Sequence, residues 1–249
     1  MNYFIGEKVE GSIFVLDDAK PFGIKFPDDY EKLLRKNNGT LRVIDAEELT
    51  FYLMYFMETS TGQKPVTLIG KGGALTGVLL RRRGFSKQMS FADVERTYSS
   101  DGNGTKINYR IISCDDELYP RIADDVIASG TTLNFLMREL GLRESDVYTL
   151  VLSGDTNSGW RDATGSTLAN SRNVYAAAVA LRPNAKPAIF STRYLLYGVK
   201  NNPRYRDYLA KYVGGEQNVR SILPMLREID LSPFDLLYKE PREFLRKYG

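Results

Sequence analysis

The stretch ADDVIASGTTL, Ala123 to Leu133, constrains the fold of this chain more than any other, because two carboxylates stand just ahead of a small-residue turn that opens a helix. The order apolar strand, acidic pair, turn, helix belongs to a strand-to-helix junction, and its residue types suit a sugar phosphate. Asp124 and Asp125 can accept hydrogen bonds from sugar hydroxyls or hold Mg²⁺, since carboxylate oxygens are hard ligands. Ala128, Ser129, Gly130, Thr131 and Thr132 can cup a phosphate with backbone N–H groups and hydroxyls at the positive end of the helix. Taken alone, the same residues also make an ordinary helix cap, and the turn by itself does not decide between the two.

Two absences narrow the chemistry. The 249 residues include no histidine and a single cysteine, Cys114. A Ser-His-Asp or Cys-His triad, a zinc site built on His or Cys, and an intrachain disulfide are therefore excluded. Cys114 is expected to pack as a small hydrophobe near a strand end. Any reaction must rely on carboxylates, hydroxyls, Lys, Arg, backbone dipoles and metal. A net charge of +3 neither demands nor forbids nucleic acid; it suits an anionic substrate, and a charge-mixed surface explains it equally. No apolar run approaches the roughly 20 residues of a bilayer span, and no basic-then-apolar leader opens the chain. A cytoplasmic protein without a membrane partner is expected.

Along the chain, residues 1–40 read as a mixed segment of unclear role, with Ile13 and Val15 alternating and Pro21, Gly23 and Pro27 marking turns. Leu41, Val43 and Ile44 suggest a short strand into Asp45, which with Glu48 caps a helix from about Ala46 to Glu58, with Leu49, Tyr52, Leu53 and Phe56 on one face. Val66 to Ile69 read as a buried strand, and a helix is expected from Ala74 to about Arg83. Ile107 to Ile112 alternate like a strand. Thr131 to Leu140 form the motif's helix, closed by Gly141. Val147 to Leu152 make a further strand, Val174 to Leu181 strand or helix, and Ala188 to Phe190 a last strand. From Thr192 onward the pattern is mainly helical. Strands alternating with helices imply an α/β fold with a parallel-rich sheet flanked by helices.

The segment VTLIGKGGALTG, Val66 to Gly77, carries a second signal, because glycines at a strand-to-helix turn let backbone N–H groups approach an anion. Alone it is weak, since its spacing departs from a dinucleotide fingerprint. A polar stretch, Ser90 to Ile111, includes Thr97, Tyr98, Ser99 and Ser100 and the turn Asp101 to Gly104. It reads as a mobile loop or an exposed hairpin. Trp160 can stack on a base or pack locally. The cluster Arg204, Tyr205, Arg206, Tyr208, Lys211 and Tyr212 reads either as a nucleic-acid patch or, at helical spacing, as tyrosines on the core with solvated charges.

Taken together, these strings resemble the type I phosphoribosyltransferases. Asp124, Asp125, Val126, Ile127, Ala128, Ser129, Gly130, Thr131 and Thr132 match that family's phosphoribosyl pyrophosphate motif position by position, and Lys71 with Gly72 matches its pyrophosphate loop. The resemblance covers about residues 43 to 155. It implies an α/β domain over residues 1–190, with a core near 41–182, and a mainly helical extension or hood over 191–249. It implies that Asp124 and Asp125 hold the ribose hydroxyls and Mg²⁺, directly or through hydroxyls and water. Ser129 to Thr132, with Ala128, would hold the 5-phosphate, and Lys71, Gly72 and Gly73 the pyrophosphate. Tyr98 and Ser99 would belong to a lid that excludes water. The implied reaction transfers 5-phosphoribosyl from phosphoribosyl pyrophosphate to a nitrogenous base, a purine by its loop layout. The partners are then the co-substrate, a small base and a second copy of the chain as a homodimer, not nucleic acid. Departures are Pro120, which shortens the motif's strand; Ala128, where hypoxanthine and guanine enzymes commonly carry Asp; and Ser153-Gly154, where they carry a base-contacting Lys. These motivate an alternative, a non-catalytic regulator or assembly module of the same fold that binds a nucleotide or phosphoribosyl ligand.

Overall fold

The computed structural model describes residues 2–62, 64–100, 105–155, 168, 171–182 and 187–249. Short apolar runs become strands β1 (Asn2–Glu10), β2 (Ile13–Asp17), β3 (Leu41–Asp45), β4 (Val66–Ile69), β5 (Met89–Ser100), β6 (Thr105–Cys114), β7 (Arg121–Ile127), β8 (Asp146–Asp155), β9 (Asn173–Arg182) and β10 (Ala188–Ser191). Seven of them form one sheet in the order β1-β9-β8-β7-β4-β5-β6. Every pairing in it is parallel except the β5–β6 hairpin. The other three, in the order β10-β2-β3, make a small parallel sheet. The fold is thus α/β with a parallel-rich sheet and helices on both faces, the arrangement that buries both sides of a parallel sheet.

Helices α1 (Asp28–Asn38), α2 (Ala46–Thr61), α3 (Gly70–Arg82) and α4 (Thr131–Glu139) follow β2, β3, β4 and β7. The chain after β10 enters a π-helical turn, Tyr194–Gly198, and continues through α5 (Pro203–Val213), α6 (Glu216–Arg227), α7 (Ser232–Lys239) and α8 (Pro241–Tyr248). One core lies between the main sheet and α2, α3, the small sheet and the C-terminal helices, around Leu53, Leu68, Leu75, Tyr148 and Phe234. A second lies on the opposite face under α4, around Ile122, Leu136, Val147 and Val174. Strands β7 and β8 feed both cores, Ala123 and Tyr148 one and Ile122 and Val147 the other, which is why the middle of β8 reads as an apolar run.

Several expectations change. The helix after β4 begins at Gly70 and not at Ala74, so the glycines form its first turn. Of the two readings of Ser90 to Ile111, mobile loop or exposed hairpin, the structure has the β5–β6 hairpin, held by an antiparallel ladder with one bulge at Asp93/Val94, while residues 101–104 lie outside the described residues. Val174 to Leu181 is strand, buried throughout between β1 and β8, where small alanine side chains leave room for α2. Ala188 to Phe190 joins the small sheet, and the segment of unclear role supplies β1, β2 and α1. Cys114 stands at a strand end but is exposed, because β6 is an edge strand. On α2 the buried stripe is Ala46, Leu49, Leu53 and Met57, and Tyr52 turns outward.

The motif's strand starts at Arg121, directly after Pro120, whose carbonyl still accepts from the Asp146 N–H at 3.1 Å. The Arg121 guanidinium is buried. It donates to the carbonyls of Met57 (3.2 Å), Gly62 (3.3 Å) and Lys64 (2.9 Å) and to the Tyr148 hydroxyl (3.1 Å), pinning the end of α2 to the sheet.

Candidate functional site

Adjacency in the sheet brings the two glycine- and acid-bearing junctions together. Thr67 and Leu68 of β4 pair with Ile122 and Ala123 of β7, so the first turn of α3 and the Asp124-Asp125 pair emerge side by side at the C-terminal edge. Crevices at that edge are where open parallel sheets receive ligands. A cavity of about 280 Å³ opens there, lined by Asp124, Asp125 and the whole run Val126 to Leu133. Its other wall is Ile189, Phe190, Ser191, Arg193, Tyr194 and Tyr208, with Arg96 from the hairpin.

Gly130 takes a left-handed conformation (φ 70°), which turns the chain from β7 into α4 and frees the first N–H groups of the helix toward the cavity. The hydroxyls of this loop are ordered: Ser129 Oγ lies 3.0 Å from Thr131 Oγ1, and Thr131 Oγ1 lies 2.9 Å from the Tyr109 hydroxyl on β6. The Tyr109 ring stacks on Phe135 of α4 at 5.3 Å. α4 has no acidic residue in its first turn, so no carboxylate of its own competes for an anion there.

Gly72 meets the acidic pair at closest approach. A Cβ at that position would fall 2.7 Å from Asp125 Cγ and closer still to the Oδ1 atoms of both aspartates, so only glycine leaves the carboxylates where they are. A Cβ on Gly73 would instead strike backbone, 2.8 Å from both the Ala123 oxygen and the Leu68 carbonyl carbon. Lys71 points elsewhere. Its ammonium lies 4.0 Å from Asp93 Oδ1 and 5.9 Å above the Tyr238 ring, and it is not among the residues lining the cavity. The backbones of Tyr98 and Ser99 pair with Ile107 and Lys106 in the hairpin ladder, while their side chains and Trp160 lie outside the described residues.

The acidic pair is not symmetric. Asp125 is buried, and its Oδ2 accepts from Arg193 Nη2 at 2.6 Å. Burial pushes its carboxyl up, but the charge and hydrogen bond of Arg193 outweigh burial and hold it below the usual carboxylate range. Asp124 accepts from the Asp125 N–H at 2.9 Å; burial first, and then the neighbouring Asp125 charge, push its carboxyl well above the usual range. The two carboxyls thus differ in acidity, Asp125 the stronger acid and Asp124 the weaker. Behind Arg193 stands Asp18, just past β2. It is fully buried and pushed up to about 6 by burial, against the attraction of Arg193.

Two hard carboxylates with one edge already met by arginine fit a Mg²⁺ ion whose other ligands are phosphate oxygens, hydroxyls and water. Among the described residues no group of three or more acidic, His or Cys side chains converges to cage a metal without a substrate.

Opposite the motif the wall is aromatic. Tyr194 stacks on Tyr205 at 4.4 Å, and Phe190 packs against Tyr194, Tyr208 and Tyr212. The tyrosines of the Arg204 to Tyr212 cluster are therefore committed to packing beside the cavity. Arg193, Asp18, Arg96 and Tyr109 had no sequence signal, since each acts through a partner distant in the chain. Phe190 was visible as part of an apolar strand, and Tyr208 as a member of the Arg204 to Tyr212 cluster.

Among the described residues no helix is long and apolar enough to cross a membrane. No family model and no curated protein matches the chain. Among solved structures the fold is similar to a hypothetical protein from Neisseria gonorrhoeae with bound ppGpp, 12% identical, over 59% of this chain and 82% of that one, with a TM-score of 0.45. It is also similar to an Aquifex aeolicus protein, 12% identical over 57% and 76% with a TM-score of 0.38. A hypoxanthine-guanine phosphoribosyltransferase from Bacillus anthracis is 19% identical over 51% and 71%, with a TM-score of 0.29.

Proposed function

We propose that this chain is a phosphoribosyltransferase that moves a 5-phosphoribosyl group from phosphoribosyl pyrophosphate to a nitrogenous base, a purine in the first instance, and releases pyrophosphate. One observation carries the reading: the acidic pair and the small-residue loop line a single cavity of about 280 Å³ whose far wall is aromatic. The 5-phosphate would sit on the N–H groups and hydroxyls of Ser129 to Thr132 at the start of α4. The ribose hydroxyls would donate to the carboxylates of Asp124 and Asp125. Arg96 would offer charge to the pyrophosphate, and Lys71 would join it on leaving Asp93. Phe190, Tyr194 and Tyr208 would receive the flat face of the base. Mg²⁺, held through Asp124 and Asp125 and the substrate's own oxygens, would neutralise charge building on the pyrophosphate. The bond from C1 to the pyrophosphate oxygen breaks with its electron pair, a base nitrogen forms the new bond to C1, and the proton it sheds passes to water. Placement and electrostatics suffice for such a step, which needs no histidine.

A second reading keeps the ligand and omits the reaction, as in a regulator or assembly module. It draws on Arg193, which already meets the negative charge of Asp125 and so weakens what that carboxylate offers a cationic ribose. Titration calorimetry with phosphoribosyl pyrophosphate and Mg²⁺, followed by a pyrophosphate-release assay over a panel of bases, separates the two. Binding that is lost in D124N/D125N, with release on adding a base, supports transfer. The same binding without release supports the second reading, and no binding ends both.

A further inference from the structure

We infer that Arg193 is a positioning residue for the acidic pair, a fork anchored on Asp18 that fixes which edge of Asp125 faces the cavity. The inference rests on the cavity being the phosphoribosyl site. Arg193 follows the last strand of the small sheet and reaches into the main one. Its Nη1 bonds Asp18 Oδ2, its backbone N–H donates to Asp18 Oδ1 at 2.9 Å, and its Nη2 donates to Asp125 Oδ2 at 2.6 Å. Thr192 ties the same corner to the end of β2, its hydroxyl donating to the Leu16 carbonyl at 3.2 Å.

Asp125 is thereby held from two sides. Arg193 fixes Oδ2, and Gly72 leaves just enough room for Oδ1. A carboxylate caught this way rests in one orientation, with its free edge toward Asp124 and the cavity. Two nitrogens of one guanidinium must reach two acids on different sheets, which a planar fork does and a single ammonium does not. Stability alone gives little reason for the arrangement, because a buried ion pair is commonly no better than well-packed apolar side chains. Arg193 also lines the cavity, beside the residues it orients.

The test compares R193K with R121K, in which the altered arginine is equally buried but touches no part of the cavity. Each variant is titrated with phosphoribosyl pyrophosphate and Mg²⁺, its melting temperature is measured, and ligand-free R193K is crystallised. R193K is expected to bind roughly 10- to 100-fold more weakly, the range for losing one buried charge-assisted hydrogen bond, with the Asp125 carboxylate displaced. R121K is expected to lose melting temperature while binding within roughly two-fold of wild type, a margin well under one such bond. R193K binding as tightly as wild type overturns the inference. So does weak binding with Asp125 unmoved, since Arg193 would then act on the ligand itself. Affinity that merely follows melting temperature across both variants also overturns it, as a structural role would produce that. If R193K does not fold, D18N, which keeps Arg193 and loosens its anchor, is put through the same measurements with the same criteria. If wild type binds no phosphoribosyl pyrophosphate, the proposed function fails separately, and the position of Asp125 in the crystals alone decides whether Arg193 sets it.

Discussion

Substituting alanine at Gly72 and at Gly73 should produce opposite effects from neighbouring positions on one helix. Both lie in the first turn of α3, and each exchange relieves a helical glycine of about 0.5–1 kcal/mol of backbone entropy cost. At Gly73 the new Cβ would stand 2.8 Å from the Ala123 oxygen and the Leu68 carbonyl carbon, backbone atoms of two central strands that cannot rotate away. Overpacking of this kind costs about 1–3 kcal/mol, so G73A should be less stable by up to ~2 kcal/mol after the helix gain. For a chain of this length that is a fall of roughly 4–8 °C in melting temperature. At Gly72 the obstacle is a side chain, with Asp125 Cγ 2.7 Å from the new carbon. Two carbons rest near 3.5 Å, so the carboxylate must retreat by roughly 1 Å. It can do so by turning, so stability should change little, but a displacement of that size in a binding group costs on the order of 100-fold in activity. Thermal melts and titration with phosphoribosyl pyrophosphate separate the two. G72A binding within about three-fold of wild type, less than 1 kcal/mol, would refute the claim that Gly72 exists to admit the acidic pair.

Three further outcomes follow from single contacts. Asp18 is pushed up to about 6 in the folded protein from an ordinary value near 3.8, so its contribution to stability is complete below about pH 4 and is lost as pH rises through 6. The full loss is on the order of 3 kcal/mol, of which about 2 kcal/mol falls between pH 4.5 and 7.5; urea unfolding at those two pH values should show it in wild type and not in D18N, and equal slopes in the two proteins would dismiss it. Y109F removes the hydroxyl 2.9 Å from Thr131 Oγ1 while keeping the stack on Phe135, so ligand affinity should fall about five-fold, near 1 kcal/mol, with the fold intact. An unchanged affinity would mean that Thr131 needs no holding. R121A strips three backbone carbonyls at the end of α2 of their donor and should cost about 3 kcal/mol in chemical unfolding, with the cavity unaffected. A loss under about 1 kcal/mol would show that water replaces the guanidinium there.

What the chain reveals in one dimension depends on how local the interaction is. The motif was legible because a strand end, a left-handed glycine and a helix start occupy consecutive positions, so Asp124 to Thr132 carry their own geometry. β4 and its glycines were legible for the same reason, but not their neighbourhood: nothing in VTLIGKGG says that Leu68 will pair with Ala123. The boundary of α3 was misplaced because glycines read as a loop by propensity, whereas close packing on β7 admits nothing larger at Gly72 and Gly73 and tertiary contact overrides propensity. The hairpin could not be told from a loop in the sequence because its polar residues lie on an edge, where alternation is weak.

Arg193 is the extreme case. It is one of 34 cationic residues, 68 positions from Asp125 and 175 from Asp18, and no periodicity marks it. A buried arginine is specified only by the acids waiting for it, and those acids are gathered by two separate sheets. The motif can therefore be recognised without the residue that sets its electrostatics. An acidic pair read from sequence carries two unpartnered charges, whereas in the fold Arg193 meets the charge of Asp125 and the pKa of Asp124 is raised. Whether that pair stabilises a ribose cation or merely grips its hydroxyls depends on the arginine as much as on the aspartates.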